Sequence, residues 1–97
     1  MKVRELKKDF RKKGVNYKQI EATDKYFVYE CTPSEGPVYY EVFKKVIDKI
    51  NTDKKRLMYP GYDAYTVYPS DSQFGIWAWC CSTLNRVEKY RQRIINA

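Results

Sequence analysis

Apolar residues recur with two different periods along the chain, and each period predicts a different kind of element. Near the N-terminus, Val3, Leu6 and Phe10 are spaced as they would be along one face of a helix. Gly14 follows at a position where a glycine commonly ends a helix. The pattern therefore predicts an N-terminal helix over residues 3–13.

β-Branched and aromatic residues dominate the segment that follows, with a polar break in its middle. Residues 17–22 and 26–32 carry these side chains on either side of Thr23, Asp24 and Lys25, which favour a turn. We therefore expect two antiparallel strands joined by that turn.

Residues 38–50 fit two patterns at once. Their apolar side chains fall on one face of an amphipathic helix, which favours a helix. Residues 38–43, however, contain only one good helix former and alternate as a strand does. We predict a strand over residues 38–47, with a helix as the alternative.

The second half of the chain predicts a turn, a tyrosine-rich stretch and a helix. Residues 51–58 predict an exposed basic turn, and tyrosine then recurs at every third position: Tyr59, Tyr62, Tyr65 and Tyr68. A period of three suits a polyproline-type helix, but a turn at Pro60 and Gly61 followed by a short strand is the simpler interpretation. The C-terminal residues predict a helix capped by Ser82 or Thr83, with four side chains along one face: Leu84, Val87, Tyr90 and Ile94.

The most apolar run, residues 74–81, predicts a strand with apolar side chains on both faces. Alternation places Trp77, Trp79 and Cys81 on one face, and Ile76, Ala78 and Cys80 on the other. A strand of this kind is expected at the centre of a sheet, with its smaller face under the helices. The face with Trp77 and Trp79 is then either covered or open as an aromatic platform for stacking or protein binding.

These elements predict an α+β fold. We expect a single antiparallel sheet of three to five strands, with the N-terminal and C-terminal helices packed on one face. The chain has 97 residues, the size of one ordinary domain, so residues 1–97 are treated as a single domain.

The chain is strongly basic, and its positive charge is concentrated near the N-terminus. Its 19 basic and 12 acidic side chains give a formal net charge of +7, and residues 2–13 hold seven of the basic ones. Such a balance favours polyanionic partners such as nucleic acid. If the two helices share an outer face, basic side chains from both can bind phosphates there. The candidate binding residues are Arg4, Lys8, Arg11 and Lys12 from the first helix and Arg86, Lys89 and Arg93 from the last.

The sequence lacks the residue combinations that most catalytic and metal sites need. It has no histidine and only three cysteines, none in a C-x-x-C pair, which disfavours structural zinc and nucleophilic catalysis with a histidine base. The best nuclease candidate is the triplet Asp53, Lys54 and Lys55, with carboxylate partners drawn from Glu30, Glu41, Asp63 and Asp71. Such triplets arise by chance in a lysine-rich chain. We therefore expect no enzyme activity, no bound metal and no cofactor.

The expected location is the cytoplasm. No apolar run approaches the ~20 residues that span a bilayer, and the N-terminus is charged where a signal peptide would be apolar. We therefore expect no membrane contact and reduced, buried cysteines that pack as small apolar side chains.

Two stretches of the second half, YEVF at 40–43 and YPSDSQFGIWAW at 68–79, carry a resemblance to other proteins. They are similar to small uncharacterised proteins of Bacteroidetes and of their phages and mobile elements. The resemblance implies a soluble accessory protein inside a bacterial cell and a strand at 40–43. It supplies no catalytic residue.

Charge and resemblance together predict a small non-catalytic binding protein, an accessory factor of a phage or mobile element. Its expected partner is nucleic acid, RNA included, or a nucleic-acid-handling host protein. The alternative is a protein inhibitor of a host defence nuclease, similar in role to anti-CRISPR proteins, acting through aromatic and arginine contacts. A metal-dependent nuclease is the minor alternative.

Overall fold

The computed structural model describes all 97 residues and shows a mostly β protein with two sheets. Its strands are β1 (Val3–Arg4), β2 (Asp9–Lys12), β3 (Val15–Ala22), β4 (Tyr26–Pro33), β5 (Tyr39–Lys44), β6 (Ile47–Lys49), β7 (Ala64–Thr66) and β8 (Ala78–Cys81). Its helices are α1 (Asp53–Met58) and α2 (Leu84–Ile95), and a 3-10 turn covers Asp71–Gln73. The predicted fold class, one sheet with a helix at each end of the chain, is therefore wrong. Neither helix combines the length and apolar character needed to cross a membrane.

Five strands form the larger sheet in the order β2-β3-β4-β5-β8, and each neighbouring pair is antiparallel. The strands predicted over 17–22 and 26–32 are confirmed within β3 and β4. The strand predicted over 38–47 is confirmed over 39–44, so the helix alternative is wrong. The chain then leaves the larger sheet, because Lys45 and Val46 lie outside any strand and β6 belongs to the smaller sheet.

Three short strands form the smaller sheet in the order β1-β7-β6. β1 runs parallel to β7, and β6 runs antiparallel to it. β7 is the short strand that the simpler interpretation of the tyrosine-rich stretch predicts. Residues 51–58, predicted as a turn, instead contain α1, whose first turn is capped where Thr52 Oγ1 accepts the Lys55 N–H.

The N-terminal segment is extended, and the helix predicted over residues 3–13 is absent. β1 joins the smaller sheet, β2 joins the larger one, and residues 5–8 connect them. Lys13 and Gly14 have φ angles of 50° and 77° and form the two-residue turn of the β2–β3 hairpin, which requires positive φ. Gly14 therefore supplies the left-handed backbone that a helix end would also need, but it closes a hairpin. Three apolar residues in eleven favour a helix only weakly, so strand pairing outweighs that preference.

Helix α2 covers one face of the larger sheet, called the helix face below. Val87 and Ile94 of α2 are buried there in a cluster with Trp79 and Cys81 of β8. The C-terminal helix is thus confirmed, and Thr83 is its N-cap, because its hydroxyl accepts a backbone N–H of the first turn. Apolar side chains on both α2 and the sheet make this face a closed core.

The opposite face of the larger sheet, called the cleft face below, is covered by extended chain instead of a helix. Phe27, Tyr29 and Phe43 are buried in it. Leu6 and Phe10 from the N-terminal segment pack against this cluster, and so do side chains from residues 68–77.

The two faces of β8 are the reverse of those predicted, and β8 is an edge strand, not a central one. Trp79 points towards α2, whereas Ala78 lies in the cleft-face cluster with Trp77 packed beside it. Ile76, expected in a buried small face, is 71% exposed. The large indole fits under α2 because Tyr90 stacks on it with 4.8 Å between ring centroids.

Candidate binding cleft between the two sheets

A cleft of about 540 Å³ lies between the two sheets and is called the inter-sheet cleft below. The N-terminal segment forms one side, because β1 and β2 belong to different sheets and the chain between them lines the gap. Side chains from Tyr59 and from residues 65–68 form the other side. The lining includes four basic residues, Arg4, Lys7, Arg11 and Lys12, and four aromatic ones, Phe10, Tyr59, Tyr65 and Tyr68.

The basic side chains of the cleft carry charge that no carboxylate neutralises by direct contact. None of the four forms an ion pair, whereas Glu5, the one acidic residue of the lining, is paired with Lys45 at 3.2 Å. The Arg11 guanidinium donates to the neutral oxygens of Asn16 and Ser34 at 3.1 and 3.2 Å, which orient it without removing its charge. The cleft therefore attracts anions.

Two tyrosines of the cleft form a stack that cations flank. The Tyr59 and Tyr65 rings are 4.7 Å apart between centroids and nearly parallel. The Arg4 guanidinium lies 5.1 Å from the Tyr59 centroid, and the Lys55 ammonium lies 5.4 Å from that of Tyr65. Because the inner face of each ring is occupied by the other ring, the cations lie against the outer faces. This cation–π packing places positive charge beside an aromatic surface.

Tyr68 connects the cleft to a polar cluster buried in the cleft face. The Tyr68 ring packs edge-on against Phe10 and Phe43, and the Lys12 ammonium lies 4.8 Å from the centroid of this ring. Its hydroxyl donates a hydrogen bond to Glu41, which is only 4% exposed. Burial raises the pKa of Glu41, while the Tyr68 hydrogen bond and the charge of Lys12 oppose that rise.

Three tyrosine hydroxyls around Glu41 titrate above their ordinary range. Burial is the main cause that raises the pKa of Tyr17, Tyr39 and Tyr68, and the charge of Glu41 raises each further. These hydroxyls therefore stay protonated at neutral pH, so each can both donate and accept a hydrogen bond.

The structure separates the basic residues that were predicted to share one face. Arg4, Arg11 and Lys12 line the inter-sheet cleft, and Lys8 is exposed in the segment between β1 and β2. The helix face holds the other three, on α2: Arg86, Lys89 and Arg93. No common face forms, because the N-terminal segment is not a helix and packs on the side of the sheet opposite α2.

Trp77 and Trp79 do not form a joint platform, because they lie on opposite faces of the larger sheet. Trp79 is covered by Tyr90 and by the Arg93 guanidinium, which lies 5.7 Å from its ring centroid. Trp77 packs edge-on against Phe43 on the cleft face. The predicted aromatic platform of two tryptophans is therefore absent, and the cleft is lined instead by the half-buried rings of Tyr59, Tyr65 and Tyr68.

The tyrosines of the cleft were not among the predicted binding residues, although the sequence held a signal for them. The three-residue period marks Tyr59, Tyr65 and Tyr68, which line the cleft. It also marks Tyr62, which lies outside the lining with the Lys2 ammonium 5.0 Å from its ring centroid. The sequence around Lys7 does not mark it as a cleft residue, because only the extended path of the N-terminal segment brings it to the cleft.

The residues of the nuclease hypothesis do not gather into a metal site. Asp53 begins α1 and pairs with Arg56 at 3.2 Å. No group of three or more histidine, cysteine, aspartate and glutamate side chains lies close enough together to hold a metal ion. Cys31 and Cys81 are free and buried, as predicted, whereas Cys80 is free and exposed.

Comparisons of the chain with protein-family models, with curated proteins and with solved structures give no match. Function is therefore inferred from the side chains of the inter-sheet cleft.

Proposed function

We propose that this protein is a small non-catalytic binding protein, an accessory factor that holds single-stranded nucleic acid in the inter-sheet cleft. The observation that supports the proposal is the lining, in which unpaired basic side chains lie beside tyrosine rings in one concave surface. Proteins that bind single strands use this combination, because cations hold the phosphates and aromatic rings contact the bases.

The size of the cleft favours a single strand over a double helix. Its volume of about 540 Å³ is typical of pockets that enclose a small molecule, roughly 300–1,000 Å³. A short, splayed segment of a strand can place a base in such a space, whereas a duplex keeps its bases stacked and paired. Single-stranded RNA and DNA share this chemistry, and the test includes both.

The basic residues have distinct roles in this proposal. Arg4 and Lys12 each lie over a tyrosine ring, so a phosphate bound by either cation is held beside an aromatic surface. Lys7 and Arg11 extend the positive surface along the N-terminal segment. Contacts of this kind are salt-sensitive, because binding releases the counterions of the nucleic acid.

The test is fluorescence anisotropy with labelled RNA and DNA single strands of about 12 nucleotides. With four phosphate contacts, the logarithm of the association constant should fall with the logarithm of salt concentration at a slope of about −2 to −3. Duplexes of the same sequence should bind more weakly. The triple variant Arg4→Gln/Lys7→Gln/Lys12→Gln should lose at least about tenfold in affinity and flatten the slope by about 2.

A matched control removes the same charge from the helix face. Arg86→Gln/Lys89→Gln/Arg93→Gln changes the net charge equally but leaves the cleft intact, so its affinity should stay near that of the wild type. Equal losses in both triple variants would show that only net charge matters, and the cleft assignment would be wrong. If no single strand binds at ~50 mM salt, nucleic-acid binding is wrong. Co-purification of one host protein that depends on the cleft residues would then support the inhibitor alternative.

A further inference from the structure

A second, smaller cavity opens beside the inter-sheet cleft and shares two of its residues. This cavity, called the Glu41 cavity below, has a volume of about 200 Å³ and is lined by Lys12 and Tyr68, which also line the cleft. Tyr17, Tyr39 and Glu41 contribute polar groups to its lining. A molecule held in the cleft can therefore extend a group past Lys12 and Tyr68 into this space.

The carboxyl group of Glu41 has hydrogen-bonding capacity that the protein leaves open. One oxygen accepts from the Tyr68 hydroxyl, and the other lies 4.0 Å from the Cys80 sulfur, a weak contact. A carboxylate has about four acceptor positions, so at least two are available to a ligand. Glu41 is 4% exposed, so water competes little for those positions.

The other sides of the cavity suit a flat, partly apolar group. Val15 and Phe74 supply apolar surface, and the aromatic rings of Tyr17 and Tyr39 lie beside them. Lys13 adds a second cation next to Lys12, where the phosphates of a bound strand would pass. Aromatic and apolar sides around a few polar groups are the usual setting in which a protein holds an unstacked base.

We propose that the Glu41 cavity holds one guanine base of a single strand bound in the inter-sheet cleft, with the Glu41 carboxylate accepting hydrogen bonds from the guanine N1–H and N2–H groups. This inference rests on the proposed function and adds a sequence preference to it. Guanine is the base favoured because it alone presents two adjacent donors on its Watson–Crick edge, matching the two oxygens of a carboxylate. Adenine and cytosine present one amino donor next to an acceptor, which a carboxylate repels.

The tyrosine hydroxyls complete the recognition of the base. The hydroxyls of Tyr17 and Tyr39 are protonated at neutral pH and can donate to the guanine O6, an acceptor, while Tyr68 keeps its own hydrogen on Glu41. Asp71 at the edge of the cavity disfavours a second phosphate there and leaves the lysines as the anion-binding side.

The experiment compares oligouridine strands that differ at one central position, measured by fluorescence anisotropy at mildly alkaline pH. A guanosine there should raise affinity about 10- to 100-fold over uridine, as one well-formed bidentate contact does. Inosine, which lacks the N2 amino group, should recover only part of the gain, and adenosine and cytidine should recover little.

Glu41→Gln tests the residue itself, because glutamine keeps the volume but replaces one acceptor oxygen with a donor. The variant should lose the guanosine preference and keep its affinity for plain oligouridine. Glu30→Gln, which removes a charge from a residue outside both the cleft and the Glu41 cavity, is the matched control and should keep the preference. Circular dichroism melting confirms that each variant is folded.

The outcomes separate the two proposals. If all oligouridine strands bind with one affinity whatever the central base, the Glu41 cavity does not read guanine, and the proposed function stands. If Glu41→Gln keeps the guanosine preference, the recognition lies elsewhere and the inference is wrong. If no strand binds at all, both proposals are wrong.

Discussion

The two faces of the larger sheet both carry buried aromatic side chains, more of them on the cleft face, and they are closed in different ways. On the helix face, Trp79 is stacked under Tyr90 of α2, and the buried cluster is mostly apolar. On the cleft face, extended chain from the N-terminal segment and from residues 68–77 covers the aromatic rings. This cover leaves a buried carboxyl at Glu41, a cleft and a cavity.

The difference shows how the type of cover decides what a sheet face can do. A helix with one apolar stripe matches a pleated apolar surface along its length and excludes polar groups. Extended segments match it only in places, so polar side chains and open space remain between them. We therefore assign a purely structural role to the helix face and ligand binding to the cleft face, although Phe27, Tyr29 and Phe43 of the cleft face also contribute to stability.

The largest expected effect is on the helix face. Trp79→Ala should lower the free energy of unfolding by about 3–5 kcal/mol, because it removes a buried indole and leaves a cavity under α2. Equilibrium urea denaturation measures the change. Ile76→Ala, in the same segment but 71% exposed, should change stability by less than about 0.5 kcal/mol.

Trp79→Phe keeps a ring that can stack on Tyr90 and guards against a variant that does not fold. It should recover much of the stability lost in Trp79→Ala. If Trp79→Ala and Ile76→Ala were equally stable, α2 would not depend on this stack, and the structural role assigned to the helix face would be wrong.

The helix face is also the part of the fold that the sequence predicts best. Alternating β-branched and aromatic residues predict β3, β4 and β5, and the spacing of Val87 and Ile94 after a threonine cap predicts α2. These signals are local, since each depends on residues within one element. Which face of β8 meets α2 is not local, because it depends on whether Tyr90 or another side chain lies opposite the indole.

The N-terminal segment could not be predicted for the same reason. Its pattern of Val3, Leu6 and Phe10 fits a helix, yet Val3 lies in β1, which pairs with β7, while Leu6 and Phe10 pack on the cleft face of the larger sheet. β1 and β7 are about sixty residues apart in the chain, and no periodicity within the segment reports such pairing. The inter-sheet cleft depends on the path of this segment, so it could not be predicted from the sequence. Only its positive charge could be inferred from the composition.

On the cleft face, the second prediction concerns the tyrosine stack. Tyr59→Leu removes the ring that packs against Arg4 but keeps apolar volume, so it should weaken single-strand binding by about 0.5–2 kcal/mol, the usual value of a cation–π contact. Anisotropy at constant salt gives the affinity, and urea denaturation checks that stability changes less.

Tyr62→Leu is the matched control for this prediction. Tyr62 comes from the same stretch and also packs against a lysine, but it does not line the cleft. Equal losses in both variants would mean that general aromatic content, and not the inter-sheet cleft, determines binding.

The third prediction uses the raised pKa of Glu41. Burial makes the Glu41 carboxyl group hold its proton more tightly in the native state than in the unfolded state. The resulting stabilisation is fully present below the unfolded pKa and is lost as pH rises through the higher folded pKa. Glu41→Gln cannot lose a proton, so its stability relative to the wild type should rise over that window. The rise should be about 1.4 kcal/mol for each pH unit between the unfolded and the folded pKa.

Urea denaturation between about pH 4 and pH 8 measures the effect. Glu88, whose pKa is lowered by hydrogen bonds from Gln92 and Arg91, contributes a pH dependence of opposite sign, but it is present in both proteins and cancels in the difference. If the two pH profiles run parallel, Glu41 is not a source of pH dependence, and its pKa is not raised by burial.

The smallest expected effect separates the two helices through their N-caps. Thr83 accepts the Arg86 N–H at 3.3 Å, and Thr52 accepts the Lys55 N–H at 3.2 Å, and each cap is worth about 1 kcal/mol to its helix. α2 buries side chains against the helix face, whereas α1 buries none.

Thr83→Ala should therefore lower the global free energy of unfolding by about 1 kcal/mol. Thr52→Ala should leave it unchanged and speed amide hydrogen exchange only in α1, because a helix without buried contacts opens locally. Equal global losses would place α1 in the cooperative core, and buried contacts would not be what distinguishes the two helices.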